Sequence, residues 1–262
     1  ELRTYGGDVL GIPCDVRDPD SVAEMFGQIE QEFGSVEVLF NVAGVIEVGS
    51  FDSMTMEDFE NSMQTNCWGT LRTIWAALPG MRTQGWGRIM NIASVGGQRA
   101  VPHTLPYAAS KFATAGLSNG LRAELKHENI LVGTACPGLI RTGSPRNAIF
   151  EGQHRKEYAW FSIGDSLPLM SMSAEEAASQ IIEACQQGRG EFIVASPLNL
   201  IIHMQRYFPT LTQEILALMD QLLPETGGSG TEAACGYESQ SKWSPSALTI
   251  LNEQAASANN EL

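Results

Sequence analysis

An alternation constrains this chain most. Short apolar runs at residues 9–14, 36–40, 88–93, 130–136 and 191–195 are separated by helical stretches at 18–33, 55–81, 105–128 and 173–187. Strands joined through helices cannot be hairpins, and connections of this length carry the chain back to the same edge of a sheet. The pattern therefore predicts an α/β, doubly wound, Rossmann-like parallel sheet with helices on both faces. Run 36–40 reads as a strand buried on both faces. The helix boundaries carry their own signals. Asp18 is an N-cap with Pro19 in the first helical position, and Gly34 ends that helix. Thr55 with Asp58 forms a capping box, and Pro79-Gly80 marks the end of the second helix.

Within this frame Ser94, Tyr107 and Lys111 carry the chemistry. A Tyr and a Lys four apart share one face of a helix. Pro106 suits the opening turn of that helix. A phenol titrates near about 10 in water, and an ammonium held against it favours the phenolate. Such a Tyr exchanges a proton with an alcohol or carbonyl near neutral pH, while Ser94 holds the same oxygen. By itself a Tyr-x-x-x-Lys spacing also occurs by chance on surface helices.

The chain resembles the short-chain dehydrogenase/reductases through an ordered set of motifs. Cys14-Asp15-Val16 is similar to the strand end that sets an Asp near the adenine. Asn41-Val42-Ala43-Gly44 resembles the Asn-Asn-Ala-Gly turn, with Val for the second Asn. Asn66 stands where the family keeps a catalytic Asn, and Ser94, Tyr107 and Lys111 follow in register. Pro137-Gly138, then Ile140 and Thr142, resemble the segment flanking the nicotinamide. The resemblance implies an NAD- or NADP-dependent oxidoreductase acting on a hydrophobic ketone, secondary alcohol or 3-oxoacyl compound. It implies Tyr107 as general acid/base, Ser94 on the substrate oxygen, and Lys111 on the nicotinamide ribose. Asn66 would anchor a water leading from Lys111 to bulk. Asp15, Val16, Asn41, Ala43, Gly44, Pro137, Gly138, Ile140 and Thr142 would line the cofactor. A homodimer or homotetramer through helices 55–81 and 105–128 is the implied assembly.

The family's opening strand, Gly-rich loop, helix and second strand have no counterpart before residue 9, so an N-terminal truncation is expected. Run 9–14 would then be strand three. Two empty strand positions would separate it from run 36–40, leaving it to pair out of order or a trench to open. The enzyme domain is expected over 1–223, with residues 139–172 as a lid and two short helices in 200–223. A flexible extension rich in Gly, Ser, Ala and Asn is expected over 224–262.

Sixteen basic against thirty acidic residues give a net charge of −14, which weighs against nucleic-acid binding and against anionic membrane surfaces. No apolar run is long enough for a membrane span. Five scattered cysteines read as reduced core residues in a cytoplasmic protein, and no Cys/His spacing suggests a metal. Two rival motifs point to hydrolases. Gly116-Leu-Ser118-Asn-Gly120 matches the nucleophile elbow, but Ser118 falls inside a predicted helix rather than at a strand-to-helix turn. Gly164-Asp-Ser166-Leu matches an esterase block, but no Asp-x-x-His accompanies it. His103 reads as a solvated loop residue. A third class, an inactive remnant acting as a binding or scaffold protein, is favoured by the missing phosphate loop. The retained Asn66, Ser94, Tyr107 and Lys111 oppose it.

Overall fold

Helix α1 (Pro19–Phe33) starts where its cap predicts: the Asp18 carboxylate accepts from the Asp20 N–H. The computed structural model describes residues 4, 6–167, 171–194, 202, 205, 207–227, 233–259 and 261. After α1 come β1 (Val38–Asn41) and β2 (Glu47–Val48). The next helix has three parts: α2 (Met56–Ser62), a π-helical turn (Met63–Gly69) and α3 (Thr70–Gln84). Thr55 donates to Asp58 Oδ2 through its N–H at 2.6 Å and its hydroxyl at 2.8 Å. Pro79 does not end the helix, contrary to expectation. Ile74, Leu78 and Met81 on either side of it are buried in the core, and that packing outweighs the missing N–H. The stop comes at Gly85, whose φ of 77° is left-handed and lets its N–H reach the Met81 and Arg82 carbonyls.

The chain continues through β3 (Gly87–Ile92), α4 (Leu105–Leu125), β4 (Ile130–Pro137) and β5 (Leu139–Arg141). Then follow α5 (Ser144–Asn147), β6 (Ile149–Phe150), α6 (His154–Ser166) and β7 (Ser171–Ser173). The described elements end with α7 (Ala174–Gln186), β8 (Glu191–Val194), α8 (Pro209–Asp220), β9 (Ala234–Cys235) and α9 (Ile250–Ala258). The main sheet runs β1-β3-β4-β8, all parallel. Successive β3 residues face opposite sides. Ile89 packs with Phe26, Ile74 and Met81 under α1 and α3, and Met90 packs with Ala177 and Ala184 of α7. The protein is therefore an α/β, Rossmann-like parallel sheet with helices on both faces.

Three expectations need correcting. Residues 9–14 form no strand, and among the described residues β1 pairs with β3 alone. A strand needs a hydrogen-bonding neighbour, and no described strand occupies the positions between this segment and β1. Nor is β1 buried on both faces: Val38 and Phe40, which share a face, are exposed, and Val42 just after the strand is 66% exposed. The 224–262 stretch is not a free extension where it is described. Strand β9 pairs antiparallel with β6, Asn252 donates to the Ser162 carbonyl at 3.2 Å, and Glu253 pairs with Arg146 at 3.0 Å. Residues 228–230 of the expected Gly-Ser link, residue 195 and most of 195–206 lie outside the described residues.

Strands β2, β6 and β9 form a second small sheet holding a buried acid pair. Glu47 accepts from Asn61 Nδ2 at 2.7 Å and Ser62 Oγ at 2.6 Å. Glu151 is 1% exposed, and its Oε2 finds no hydrogen-bond partner. Burial, then the nearby Asp58 and Glu47, pushes the Glu151 carboxyl from 4.5 up to about 7. An acid whose folded pKa lies above its unfolded value weakens the fold as it ionises. The unfolded chain releases its proton first, so stability falls as pH rises from about 4.5 to about 7 and then levels off. Glu151→Gln removes that loss. The variant should match the parent near pH 4 and exceed it by about 1–3 kcal/mol at pH 8 in urea unfolding. Equal stability at pH 8 would contradict this.

Candidate functional site

The site forms where the carboxyl ends of β1, β3 and β4 meet α4. Chain direction puts it there, because every strand of the parallel sheet delivers its following loop to the same edge. Ser94 follows β3, and its Oγ accepts from the Gly96 N–H at 3.0 Å. The Cβ position of Gly96 lies 3.3 Å from both Ser94 Oγ and Tyr107 Cε1, so serine and phenol flank the same glycine. Tyr107 stands in the first turn of α4, and Lys111 lies one turn on with Nζ 5.7 Å from the Tyr107 ring centre. Lys111 is 5% exposed and donates to the Ile92 carbonyl at 2.9 Å.

Asn66 sits in the π-helical turn and binds three ways. Its Oδ1 accepts from the Val45 N–H at 2.9 Å, and its Nδ2 donates to the Val45 carbonyl at 3.1 Å and to Ser110 Oγ at 2.8 Å. Its carbonyl accepts the hydroxyls of Thr70 and Thr114, both at 2.9 Å. A Cβ at Gly44 would come 2.9 Å from Asn66 Oδ1 and 3.4 Å from Lys111 Nζ. Glycine there keeps the strip in front of the ammonium open.

Burial moves the two ionisable groups in opposite directions. It lowers the Lys111 ammonium from 10.5 to about 8. It pushes the Tyr107 phenol up, opposed by the hydrogen bond from Ser94 and reinforced by the charge of Asp165. Both shifts favour the uncharged form. Lys111, expected from the spacing to lower the phenol, is not among the influences on it; desolvation raises it and Ser94 lowers it.

The other predicted residues divide. Ala43 and Gly44 are exposed at the carboxyl end of β1, and Pro137-Gly138 stands at the end of β4. Asn41 is buried and used structurally, donating to Asn91 Oδ1 at 2.8 Å and accepting from Thr73 Oγ1 at 2.6 Å. Asp15 is gripped by Arg17 at 2.8 Å, which holds its carboxyl down at about 2. Val16 packs on Gly69 of the π-helical turn. Ile140 pairs with Met172, and Thr142 bonds Ser144 at 2.8 Å. The structure brings Asn66, Ser94, Tyr107, Lys111 and Gly44 together, whereas Asp15, Ile140 and Thr142 make their recorded bonds elsewhere.

One sequence reading holds here and one changes. Ser118 is buried inside α4, accepting from Asn91 Nδ2 at 2.8 Å and donating to the Thr114 carbonyl at 2.7 Å. It sits on no strand-to-helix elbow. His103 is not solvated: its Nδ1 meets Glu157 at 2.9 Å, and both side chains are buried. Asp165, whose charge bears on Tyr107, was not found from the sequence. Its only signal was the Gly-Asp-Ser-Leu stretch, which pointed to a different chemistry.

Residues 1–150 match the short chain dehydrogenase family. D-beta-hydroxybutyrate dehydrogenase of Rhizobium meliloti is 34% identical over 150 residues, covering 54% of this chain and 58% of its own length. A ketoacyl reductase of Streptomyces coelicolor is 36% identical over 144 residues, 54% of this chain and 55% of that protein. Dehydrogenase/reductase SDR family member 7B of Bos taurus is 29% identical over 210 residues, 78% of this chain and 63% of that protein. The chain thus spans a little over half the length of the first two curated relatives.

The Ser94 hydrogen bond is the influence that lowers the Tyr107 phenol. Ser94→Ala should therefore raise its pKa, read as tyrosinate absorbance in difference against Tyr107→Phe. A phenol that titrates unchanged or lower would contradict the contact.

Proposed function

The chain belongs to the short-chain dehydrogenase family, and on that footing we propose an oxidoreductase that interconverts a carbonyl compound and its alcohol with NAD or NADP. The observation that carries this reading is Ser94 and Tyr107 converging beside a buried Lys111. The nicotinamide supplies or accepts the hydride at the substrate carbon. Tyr107 and Lys111 would hold its ribose along the strip that Gly44 leaves open, with Ala43, Pro137 and Gly138 beside it. The fit is to the nicotinamide end. Among the described residues no Gly-rich loop resembling the family's pyrophosphate cradle stands beside β1.

Ser94 and Tyr107 address one substrate oxygen. A phenol pushed up by burial is protonated at neutral pH, so Tyr107 begins as the acid and gives its proton to the carbonyl oxygen. This favours reduction at neutral pH, with oxidation gaining as pH rises. Lys111, still largely charged below about pH 8, stabilises negative charge as it develops on the phenolic oxygen. Asn66 holds the Val45 turn in front of the ammonium. The substrate is a ketone, secondary alcohol or 3-oxoacyl compound.

Tyr107→Phe keeps the ring and removes the proton. Carbonyl reduction should fall by about 10²–10⁴, with cofactor affinity falling far less because Lys111 remains. Ser118→Ala should lose stability through the Asn91 contact while keeping turnover. Full turnover in Tyr107→Phe, or none in Ser118→Ala with the fold intact, would sink the assignment.

We also propose a homo-oligomer. Trp68, Trp75 and Phe112 are exposed on the π-helical turn, α3 and α4, and Trp75 is 64% exposed. Among the described residues no helix is long and apolar enough to cross a membrane. A second copy pairing α3 and α4 about a two-fold axis covers these rings. Trp75→Glu should shift the mass seen by light scattering toward the monomer. A parent protein already monomeric at micromolar concentration would overturn the assembly.

A further inference from the structure

Tyr107 stands in a helical turn with little hold of its own. Thr104 is the N-cap of α4, but its side chain makes no capping bond and donates to the Val101 carbonyl at 2.8 Å instead. Pro106 brings no N–H to that turn. The residue ahead of the cap is His103, and it is held from three directions. Its carbonyl accepts from the Gly49 N–H at 2.8 Å. Its Nδ1 faces both carboxyl oxygens of Glu157 on α6, at 2.9 and 3.0 Å, and its Nε2 lies 3.6 Å from Asp220 Oδ1 at the end of α8. Among the described residues neither acid has a second ion-pair partner. The backbone at His103 is left-handed, with a φ of 62°. Histidine enters that region more readily than most side chains, yet a residue stays there only where its surroundings fix it. The same loop is fastened near its other end. Gln205, ahead of α8, donates to the Gln98 carbonyl at 3.3 Å, and Gln98 Nε2 reaches Cys136 Sγ in β4 at 3.6 Å. Gln205 and Asp220 thus meet the loop between Ser94 and Tyr107 at two places.

We propose that His103 is a positioning residue for Tyr107: its imidazole clamps the entry of α4 to α6 and α8 and so holds the phenol in reach of Ser94. Resting on the oxidoreductase reading above, this makes proton transfer from Tyr107 depend on how firmly α6 and α8 are seated. Facing a carboxylate, Nδ1 donates to Glu157, and that buried bond fixes the ring. Asp220 is exposed, so its hold on Nε2 is the weaker of the two and bears on α8. A small displacement of a reacting group costs rate steeply, which is why the turn needs an outside anchor. The Ser94 bond lowers the phenol, so a Tyr107 that drifts from Ser94 titrates higher.

The test compares the parent chain with His103→Gly, His103→Asn and Asp220→Asn, using ethyl acetoacetate as the ketone. Glycine suits the left-handed backbone and removes the ring. Asparagine also tolerates that backbone and keeps an amide that donates to Glu157, though it is too short for Asp220. His103→Gly should raise the Tyr107 pKa in the tyrosinate titration and lower kcat about tenfold, with KM changing far less. His103→Asn should bring both back toward the parent. Asp220→Asn alters an exposed side chain and leaves the core intact. It should quicken amide hydrogen exchange in residues 209–220 and 99–105 about two- to fivefold. A phenol and a kcat unmoved by His103→Gly overturn the proposal, and so do losses that His103→Asn does not restore. Exchange unchanged by Asp220→Asn overturns it as well. No turnover in the parent, with the phenol raised by His103→Gly and restored by His103→Asn, counts against the oxidoreductase reading instead.

Discussion

The hydrogen bonds around Asn66 are what the rest of the site depends on. Its side chain pins the Val45 backbone from both sides and reaches Ser110 of α4, and its carbonyl takes hydroxyls from α3 and α4. An ordinary α-helical carbonyl is committed to its own ladder. The π-helical turn leaves this one able to receive outside donors. From there a single directed chain crosses the core. Thr73 donates to Asn41, Asn41 to Asn91, Asn91 to Ser118, and Ser118 to the Thr114 carbonyl; the Thr114 hydroxyl then donates to the Asn66 carbonyl. Leaving one such buried member unpaired costs about 1–3 kcal/mol. The chain therefore fixes α3, β1, β3 and α4 to one another, and with them the distance between the Gly44 turn and Lys111.

That rigidity makes the electrostatics possible. Lys111 can be buried because α4 cannot drift away to solvate it. It donates to the Ile92 carbonyl, at the end of the strand that also delivers Ser94. Desolvation then acts on ammonium and phenol alike, lowering one and raising the other. The resting site is a proton donor beside a cation of weakened hold, with Ser94 setting how far the phenol rises. Asp165, whose charge raises the phenol further, comes from α6, an element outside the hydrogen-bonded chain.

Much of this was legible where the signal is local. The cap announces α1, since Asp18 accepts a backbone N–H of its first turn. The apolar runs of β3 and β4 are visible because those strands are buried. Tyr107 and Lys111 are readable because i,i+4 spacing on one helix fixes their geometry, and Ser94 because it closes the apolar run of β3. The failures are non-local. Residues 9–14 have a strand's composition, but strand formation depends on a neighbour elsewhere in the chain. Helix α6 escaped notice because its buried residues mix Tyr158 and Ala159 with Glu157, Ser162, Asp165 and Ser166, which blurs the hydrophobic periodicity. The stretch after residue 233 looked flexible because it is rich in small polar residues. Ser239, Ser244, Thr249 and Asn252 are nonetheless buried. Composition cannot tell a hydroxyl bonded to backbone from one bonded to water.

The central claim is that Ser94, Tyr107 and Lys111 serve a hydride transfer to a carbonyl carbon. The most direct measurement incubates the protein with a ketone and nicotinamide cofactor deuterated at the transferable C4 position, and locates the label in the product by mass spectrometry. The account predicts an alcohol with deuterium on the carbinol carbon, and none when Tyr107 is Phe. Product formed without label at that carbon, or labelled equally by the Tyr107→Phe protein, would contradict it.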